Sequence, residues 1–286
     1  MRGDTRAILL AAGAFAVFSL TDALVKWLSR DLPVAQVGLM VTGIALGLVL
    51  VAARGGLRPR QPGLALLRGA LLAADTLLIF YAFSRLDLTE AYALAFTAPL
   101  LVALVSTVFL QERLRQRGWL GVGLGFLGVL VVLQPQTQQL NAGHLAALAS
   151  ALAFALSIVV LRRVDAEEKD GAILFVVLLM IALTAAVLTG GDLMPLDAAQ
   201  AAVVGLAGVL MALGHWLLIR AGRLGAASLV APMQYSQLIW AALWGAALFG
   251  SPLGPALLAG AGLIILSGWL VSRAGPLPLS ERPQHG

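Results

Sequence analysis

The sequence predicts an all-α integral membrane protein with ten transmembrane helices. Hydrophobic residues make up 60% of the 286 residues, charged residues make up 12%, and the mean hydropathy is +0.94. A soluble domain of this size needs far more polar surface. Apolar runs of about 20 residues match the roughly 30 Å hydrocarbon core of a bilayer. Ten such runs occur, at 6–28, 34–53, 64–84, 90–110, 117–134, 143–162, 171–189, 198–219, 226–249 and 253–272.

Each run is expected to be a helix, because the backbone polar groups of a lipid-facing segment must bond to one another. The runs are also too long for the strands of a membrane barrel. The first run follows Arg2 and Arg6, as a signal peptide would, but it continues to Trp27 without a clear cleavage site and is interpreted as a spanning helix. The tail at 273–286 contains several prolines and is expected to be disordered. The chain has no cysteine, which excludes disulfides and thiol chemistry.

Basic residues fall into alternate gaps between these runs. Sixteen of the nineteen lie on one side, at Arg2, Arg6, Arg54, Arg58, Arg60, Arg68, Arg113, Arg115, Arg117, Arg162, Arg163, Lys169, Arg220, Arg223, Arg273 and Arg282. The other side has Lys26, Arg30 and Arg85. Because positive loops stay in the cytoplasm, we expect a bacterial inner-membrane protein with both termini cytoplasmic. The net charge of +5 follows from this partition and does not indicate nucleic-acid binding, since the charges are spread over six short segments.

The chain also resembles itself at an offset of about 138 residues. The triplet at 84–86 corresponds to 222–224, and the basic loop 111–118 corresponds to the uncharged loop 250–254. Each half has five helices, an odd number, so the second half must cross the membrane inverted. Inverted repeats are typical of secondary transporters, whose substrate site lies near the midplane between the repeats. The predicted units are a first repeat at 1–138, a second at 139–272 and the tail.

Several short motifs occur in the two halves of the chain. The first half contains Thr89-Glu90-Ala91, Pro99, Phe109-Leu110-Gln111-Glu112-Arg113, a glycine-rich run at 121–128 and Leu133-Gln134-Pro135; the second half contains Ala231-Pro232-Met233-Gln234-Tyr235 and Phe249-Gly250. Over about residues 6–272 the chain resembles the drug/metabolite transporter superfamily, EamA-type branch of metabolite and amino-acid exporters. Ser251 departs from this pattern, since many members have glutamate there. The resemblance implies alternating access and export of small amphipathic metabolites such as amino acids.

Ionisable residues inside the predicted helices are candidates for the substrate site, because each costs about 2.5–3.5 kcal/mol near the bilayer centre. Asp75 lies midway along the third run and is expected to bind a substrate ammonium, to carry a proton, or to make an interhelical hydrogen bond. Asp22 and Lys26 are one helical turn apart and share a face. They form either a local ion pair or a charged lip at the outer end of a cavity.

The ninth run is the richest in polar and aromatic residues. Pro232 cannot donate a backbone hydrogen bond, so we expect a helix break there and another at Pro99. Residues at 233, 237, 240 and 244 share one helical face, which forms either a cavity wall or a packing surface. The candidate substrate-binding residues are Asp75, Tyr81, Tyr92, Phe96, Gln234, Tyr235, Gln237, Trp240 and Trp244. His215 is expected to be an interfacial hydrogen-bonding residue rather than a proton relay.

Two motif matches have simpler explanations. The Gly-x-Gly-x-x-Gly pattern at 123–128 lies inside a spanning helix, where no phosphate-binding turn forms. We expect Gly121-x-x-x-Gly125 and Gly43-x-x-x-Gly47 to provide close helix packing. Three scattered histidines and no cysteine predict no metal site, and no ATPase motif or cofactor motif appears.

The predicted function is therefore a secondary transporter whose partners are a small-molecule substrate and the lipid bilayer, acting as a monomer or homodimer. Efflux of cationic drugs is one alternative, which would require several buried acidic residues beyond Asp75. An integral-membrane enzyme is a remote alternative, since no cluster of His, Asp or Glu lies at one membrane face. A channel would require a polar stripe along a segment, and none is present.

The charge partition makes a topology prediction. A single cysteine introduced at Arg85 or Pro252 should react with an impermeant thiol reagent in intact cells, because both sites are expected to be periplasmic. Cysteines at Arg115 or Arg223 should react only after the membrane is permeabilised. The native chain has no cysteine, so the unmodified protein is the labelling control. The reverse pattern of labelling would overturn the predicted orientation, and labelling of the sites at Arg85 and Arg223 from the same side of the membrane would rule out the inverted repeat.

Overall fold

The computed structural model describes residues 2–52, 56–83, 85, 94–111, 115–133, 141–164, 167–250 and 254–274. These residues contain helices and no β-strand. The helices are α1 (Arg2–Leu28), α2 (Val34–Ala52), α3 (Pro62–Phe83), α4 (Ala98–Phe109), α5 (Gln116–Leu133), α6 (Ala142–Arg163), α7 (Asp170–Thr189), α8 (Ala198–Leu224), α9 (Ala227–Val230), α10 (Ser236–Phe249) and α11 (Pro255–Ala274). A 3₁₀ segment, Ala231–Tyr235, joins α9 to α10, so the described residues form ten helical segments.

The helices have the length and composition of membrane spans. Six of them, α1, α2, α3, α6, α7 and α8, are long and apolar enough to cross a bilayer, and α4, α5 and α11 contain described apolar stretches of 10–17 residues. Large apolar side chains are exposed around the outside, among them Leu9, Val51, Val108 and Val187. The predicted all-α membrane class is therefore confirmed. Residues 86–93, which include the first four residues of the fourth run, and the tail after 274 lie outside the described residues.

Helix ends in the second half have defined caps. The Asn141 side chain accepts a hydrogen bond from the backbone N–H of Gly143 at 2.7 Å, and the backbone N–H of Asn141 donates to His144 Nδ1 at 3.1 Å. Asp197 and Gln200 make the equivalent pair at the start of α8. Such reciprocal caps satisfy N–H groups that have no partner within the helix. Gly190 follows α7 with φ 67°, a conformation that favours glycine.

The ninth segment is broken in its middle. Pro232 is the second residue of the 3₁₀ segment, and its missing N–H prevents a regular helical hydrogen bond at that position. The Ser236 hydroxyl donates to the carbonyl of Met233 at 2.6 Å, which provides a partner for one backbone group near the break. In the fourth segment, Pro99 lies in the first turn of α4, directly after a turn at Phe96 and Thr97.

The helices pack in pairs that join the two halves of the chain. The pairs are α1 with α8, α3 with α6, α2 with α7 and α5 with α11. At one end of the bundle Asp170, in the first turn of α7, pairs with Arg220 at 3.2 Å and Arg223 at 2.8 Å near the end of α8. Arg60, before α3, pairs with Glu167, before α7. These ion pairs lie on the side that the charge partition predicts to be cytoplasmic.

Small residues allow α5 and α11 to approach closely. A Cβ atom at Gly121 would lie 2.7 Å from a methyl carbon of Val271, and one at Gly128 would lie 2.8 Å from the carbonyl oxygen of Gly260. At Gly125 a Cβ would lie 2.4 Å from the ring of Tyr235. The prediction of close packing through this glycine run is confirmed. The corresponding prediction for Gly43-x-x-x-Gly47 is wrong, because a Cβ at either glycine would meet nothing within 4 Å.

We expect the Gly128→Ala variant to be destabilised by about 1–3 kcal/mol, since the added methyl group meets a backbone carbonyl that cannot rotate away. Gly123→Ala is the matched control in the same helix, because a Cβ there meets nothing within 4 Å and alanine has the higher helix propensity. Thermal unfolding of both variants in one detergent measures the difference. Equal midpoints for the two variants would show that the α5–α11 contact is not tight in the membrane protein.

Candidate functional site

A cavity of about 360 Å³ lies between the two halves of the chain. Its wall contains residues from α1, α2, α3, α6, α7 and α8, from the 3₁₀ segment and α10, and from the residues at the start of α4. None of the residues described in α5 and α11 lines this wall. Those two helices pack against each other beside the cavity.

The lining residues recur at helical spacing, so each helix presents one face to the cavity. In α1 the face contains Phe15, Phe18 and Asp22, and in α3 it contains Arg68, Leu72 and Asp75. The equivalent faces are Ser150, Phe154 and Ser157 in α6 and Met211, His215 and Leu218 in α8. Spacings of three, four and seven residues place side chains on one side of a helix. The wall therefore combines aromatic rings with separate polar groups, which is typical of sites for small organic molecules.

Asp75 lies in the cavity wall, in the second half of α3. The hydroxyl of Ser150, in α6, donates a hydrogen bond to its Oδ1 atom at 2.5 Å. A carboxylate has four acceptor positions, so one bond to Ser150 does not satisfy it. Asp75 is partly exposed to the cavity. Asp75 therefore lies inside the helix bundle, where it makes an interhelical hydrogen bond to Ser150 and also faces the cavity.

Asp22 and Gln237 connect the first and second halves across the cavity. Gln237 Nε2 donates to Asp22 Oδ2 at 2.8 Å, which joins α1 to α10. Gln234 lines the cavity from the 3₁₀ segment, and Phe96 lines it from the turn before α4. Five predicted site residues therefore meet in one cavity: Asp22, Asp75, Phe96, Gln234 and Gln237.

Other predicted residues lie elsewhere. Trp240 is 36% exposed, and Trp244, one turn further along α10, is partly buried outside the cavity. Both follow Gln237, the last residue of α10 in the wall, so the shared face extends beyond the end of the cavity. Tyr81 is 41% exposed, and its ring lies 5.3 Å from the guanidinium carbon of Arg85, as expected for a membrane interface. These three aromatic residues are therefore not among the described residues that line this cavity.

Tyr235, Lys26 and Tyr92 complete the set. Tyr235 is fully buried and packs with Val129, Ile264 and the lining residue Phe96, but it is not itself a lining residue. Its ring fills the space above Gly125, so this tyrosine joins the broken segment to the α5–α11 pair. Lys26 is exposed in α1 and is outside the cavity wall. Tyr92 lies outside the described residues.

Two basic residues of the wall were not predicted. Arg68 was counted with the cytoplasmic loop charges, but it lies inside α3 and is fully buried. His215 was expected at an interface, but it is buried, with its ring 5.0 Å from that of Phe18. A Cβ at Gly214 would lie 2.7 Å from the Phe18 ring, so the glycine permits this contact. The seven-residue spacing from Arg68 to Asp75 was the sequence signal that places both on one face.

Comparison with known proteins identifies the family. A family model described as the EamA-like transporter family matches residues 5–134 and again residues 141–273. The chain belongs to the EamA-like transporter family. It is therefore a multi-pass membrane transporter of small molecules and not an enzyme. The predicted resemblance is confirmed.

Proteins similar to this chain are named for different solutes. The chain is 30% identical to the pseudopaline exporter CntI of Pseudomonas aeruginosa over 91% of this chain and 93% of that protein. It is 26% identical to a riboflavin transporter of Vibrio cholerae, over 91% and 89% of the two chains. It is 23% identical to an S-adenosylmethionine uptake transporter of Rickettsia bellii, over 70% and 69%. A crystal structure with 22% identity and a TM-score of 0.81 covers 95% of this chain and 98% of its own, which shows a shared fold.

We expect Phe154→Ala to reduce transport of solutes with large apolar groups relative to small ones, because it removes an aromatic contact surface from the cavity wall. Aromatic contacts contribute about 0.5–1.5 kcal/mol, which corresponds to a change in the ratio of about twofold to tenfold. Trp240→Ala is the matched control, since it removes an aromatic ring outside the cavity. Transport of a large and a small solute by each variant gives the ratio. A ratio that changes in Trp240→Ala but not in Phe154→Ala would place the solute outside this cavity.

Proposed function

We propose that the protein is a secondary carrier that exports small amphipathic metabolites, with amino acids as the first class to test, by alternating access. The observation that carries this proposal is the mixed lining of the cavity. Phe15, Phe18, Phe96 and Phe154 supply apolar surface, whereas acids and amides supply a few polar groups. A solute with an apolar body and charged ends suits such a lining.

The arrangement of the helices supports two inverted repeats. In the proposed repeat, the helices of the first half, α1, α2, α3, α4 and α5, correspond in order to α6, α7, α8, α10 and α11 of the second half. When each helix is replaced by its counterpart, the contact of α1 with α8 becomes the contact of α6 with α3. The contact of α1 with α10 likewise becomes that of α6 with α4, and both contacts occur. The pairs α2–α7 and α5–α11 are converted into themselves. Two such halves can rock against each other around a central site.

The direction of transport and the orientation of the protein in the membrane are also part of the proposal. One relative is named an exporter and another an uptake transporter, so we base export on the chain's likeness to the pseudopaline exporter. The positive-inside rule supports cytoplasmic termini and a bacterial inner-membrane location. In this orientation Asp22 and Gln237 lie toward the outer end of the cavity. We expect their hydrogen bond to break when the cavity opens outward.

Efflux of organic cations is a second candidate, favoured by two acidic residues, Asp22 and Asp75, in the wall. Arg68 in the same wall opposes it, because a buried guanidinium repels a purely cationic solute. Counterflow of labelled metabolites into liposomes that contain the purified protein separates the candidates. Accumulation of zwitterions but not of organic cations supports metabolite transport. The opposite result would replace it with cation efflux.

The proposal predicts that Asp75→Asn reduces transport of zwitterionic or cationic solutes by at least about tenfold, because a hydrogen bond to a charged group contributes about 1.5–3 kcal/mol. Asp192→Asn is the matched control, an exposed aspartate between α7 and α8. Counterflow rates are compared after both variants are shown to have the thermal stability of the unmodified protein. Unchanged transport by Asp75→Asn would reduce Asp75 to an interhelical hydrogen-bond partner of Ser150.

A further inference from the structure

The charged groups of the cavity are sorted along its length. α3 and α6 run antiparallel, since Ala82 packs with Ala147 whereas Leu72 packs with Phe154. Asp75 is bonded to Ser150, so Arg68 and Ser157, each seven residues away, lie together nearer the other end. The lining residues of α1 and α8 are separated along the cavity in the same way. Phe18 contacts His215, and Asp22 lies one turn beyond Phe18 toward Met211.

The two helix pairs, α3–α6 and α1–α8, place their basic lining residues at the same end of the cavity. Phe15 and Leu218 pack with Ala155 and Ile158, on either side of Ser157, in one buried cluster. His215 and Arg68 therefore lie at the same end of the cavity, which we name the basic end. Asp22 and Asp75 lie at the opposite end, with Gln237 and Ser150, which we name the acidic end.

The basic end has buried polar atoms that lack hydrogen-bond partners among the described residues. Arg68 is fully buried, and none of its three guanidinium nitrogens has a hydrogen-bond partner among the described residues. The Nδ1 atom of His215 is also buried without a partner there. A guanidinium carries five N–H groups in a planar fork that matches an oxyanion. A buried charge without a partner is costly, so a ligand that supplies acceptor oxygens would satisfy it.

We propose that the basic end binds a carboxylate of the transported solute and the acidic end binds a cationic group of the same solute. This inference rests on the proposed function, since it takes the cavity to be the transport site. A carboxylate fits better than a phosphate, because a single guanidinium balances one negative charge and the two aspartates repel a dianion. The carboxylate accepts from the Arg68 fork, and the cation lies against the open side of Asp75.

The separation of the two ends selects the shape of the solute. Arg68 and Asp75 are seven residues apart in α3, which corresponds to about 10 Å along the helix axis. An α-amino acid has its ammonium and carboxylate groups attached to one carbon, so both groups can reach only one end of the cavity. A solute whose carboxylate and amine are separated by several bonds reaches both. The cavity therefore favours long zwitterions over simple α-amino acids.

Two isomers test this selection without any substitution. 6-Aminohexanoate and norleucine have the same atoms and the same two charges, but only 6-aminohexanoate has them at opposite ends. Thermal unfolding of the full-length protein over a range of probe concentrations measures apparent affinity, because a ligand that binds the folded state stabilises it. We expect 6-aminohexanoate to bind at least tenfold more tightly than norleucine. Equal affinity, or tighter binding of norleucine, would overturn the proposal.

Substitution of Arg68 tests the basic end separately. Arg68→Gln should weaken binding of 6-aminohexanoate at least tenfold and change binding of hexylamine, which lacks the carboxylate, less than twofold. Arg85→Gln is the matched control, an exposed arginine directly after α3. Arg68→Lys keeps the charge without the fork and should retain part of the preference for 6-aminohexanoate. An unchanged difference between the isomers in Arg68→Gln would overturn the role of Arg68.

The unfolding of the ligand-free variants gives a second readout. Removal of an unpaired buried charge should leave the midpoint of Arg68→Gln unchanged or higher, whereas a structural role predicts a lower one.

The experiments distinguish failure of this inference from failure of the proposed function. If liposomes accumulate metabolites but the isomers bind equally, only the charge arrangement is wrong. If 6-aminohexanoate is preferred but no metabolite is transported, the binding site stands and the transport proposal fails.

Discussion

A bilayer offers neither hydrogen-bond partners nor solvation for charges, and this constraint decides where each polar group of the chain lies. Backbone groups are satisfied inside helices, and apolar side chains such as Leu9 and Val187 face outward. Arginines near helix ends lie beside aromatic rings, as Arg220 does beside Trp216 and Arg273 beside Trp269. The cavity is the place within the bundle where Asp22, Arg68 and Asp75 gather.

The break in the ninth segment brings amides into this cavity without exposing unpaired backbone to lipid. Pro232 forces the 3₁₀ turn, and Gln234 and Gln237 enter the wall on either side of its end. Tyr235, between them, points the other way and packs above Gly125. A larger residue at 125 would meet the tyrosine ring, so the glycine run sets the position of the break as well as the α5–α11 contact. Packing outside the cavity thus fixes the direction of polar groups inside it.

The helices and their order followed from hydropathy and charge, because these properties depend on local sequence alone. Asp22, Asp75 and Gln237 were predicted since polar residues in apolar runs need an inward position. Helical periodicity gives the direction of a side chain but not how far a cavity extends along the helix, and Trp240 is not among the residues that line this cavity. Arg68 was missed for a related reason. It lies near the predicted start of its helix, where a basic residue is interpreted as part of the neighbouring cytoplasmic loop. Only the tertiary packing buries it.

The spacing of Arg68 and Asp75 keeps both groups available to a ligand. Had they been three or four residues apart in α3, they would pair with each other within the helix and neutralise the wall. At seven residues they share a face but lie about 10 Å apart, too far for an ion pair. Ser150 occupies one acceptor of Asp75, and the Arg68 nitrogens have no acceptor among the described residues. Among the described residues Arg68 is therefore an unpaired buried charge, a cost to stability that the proposed binding of a solute with two separated charges would remove.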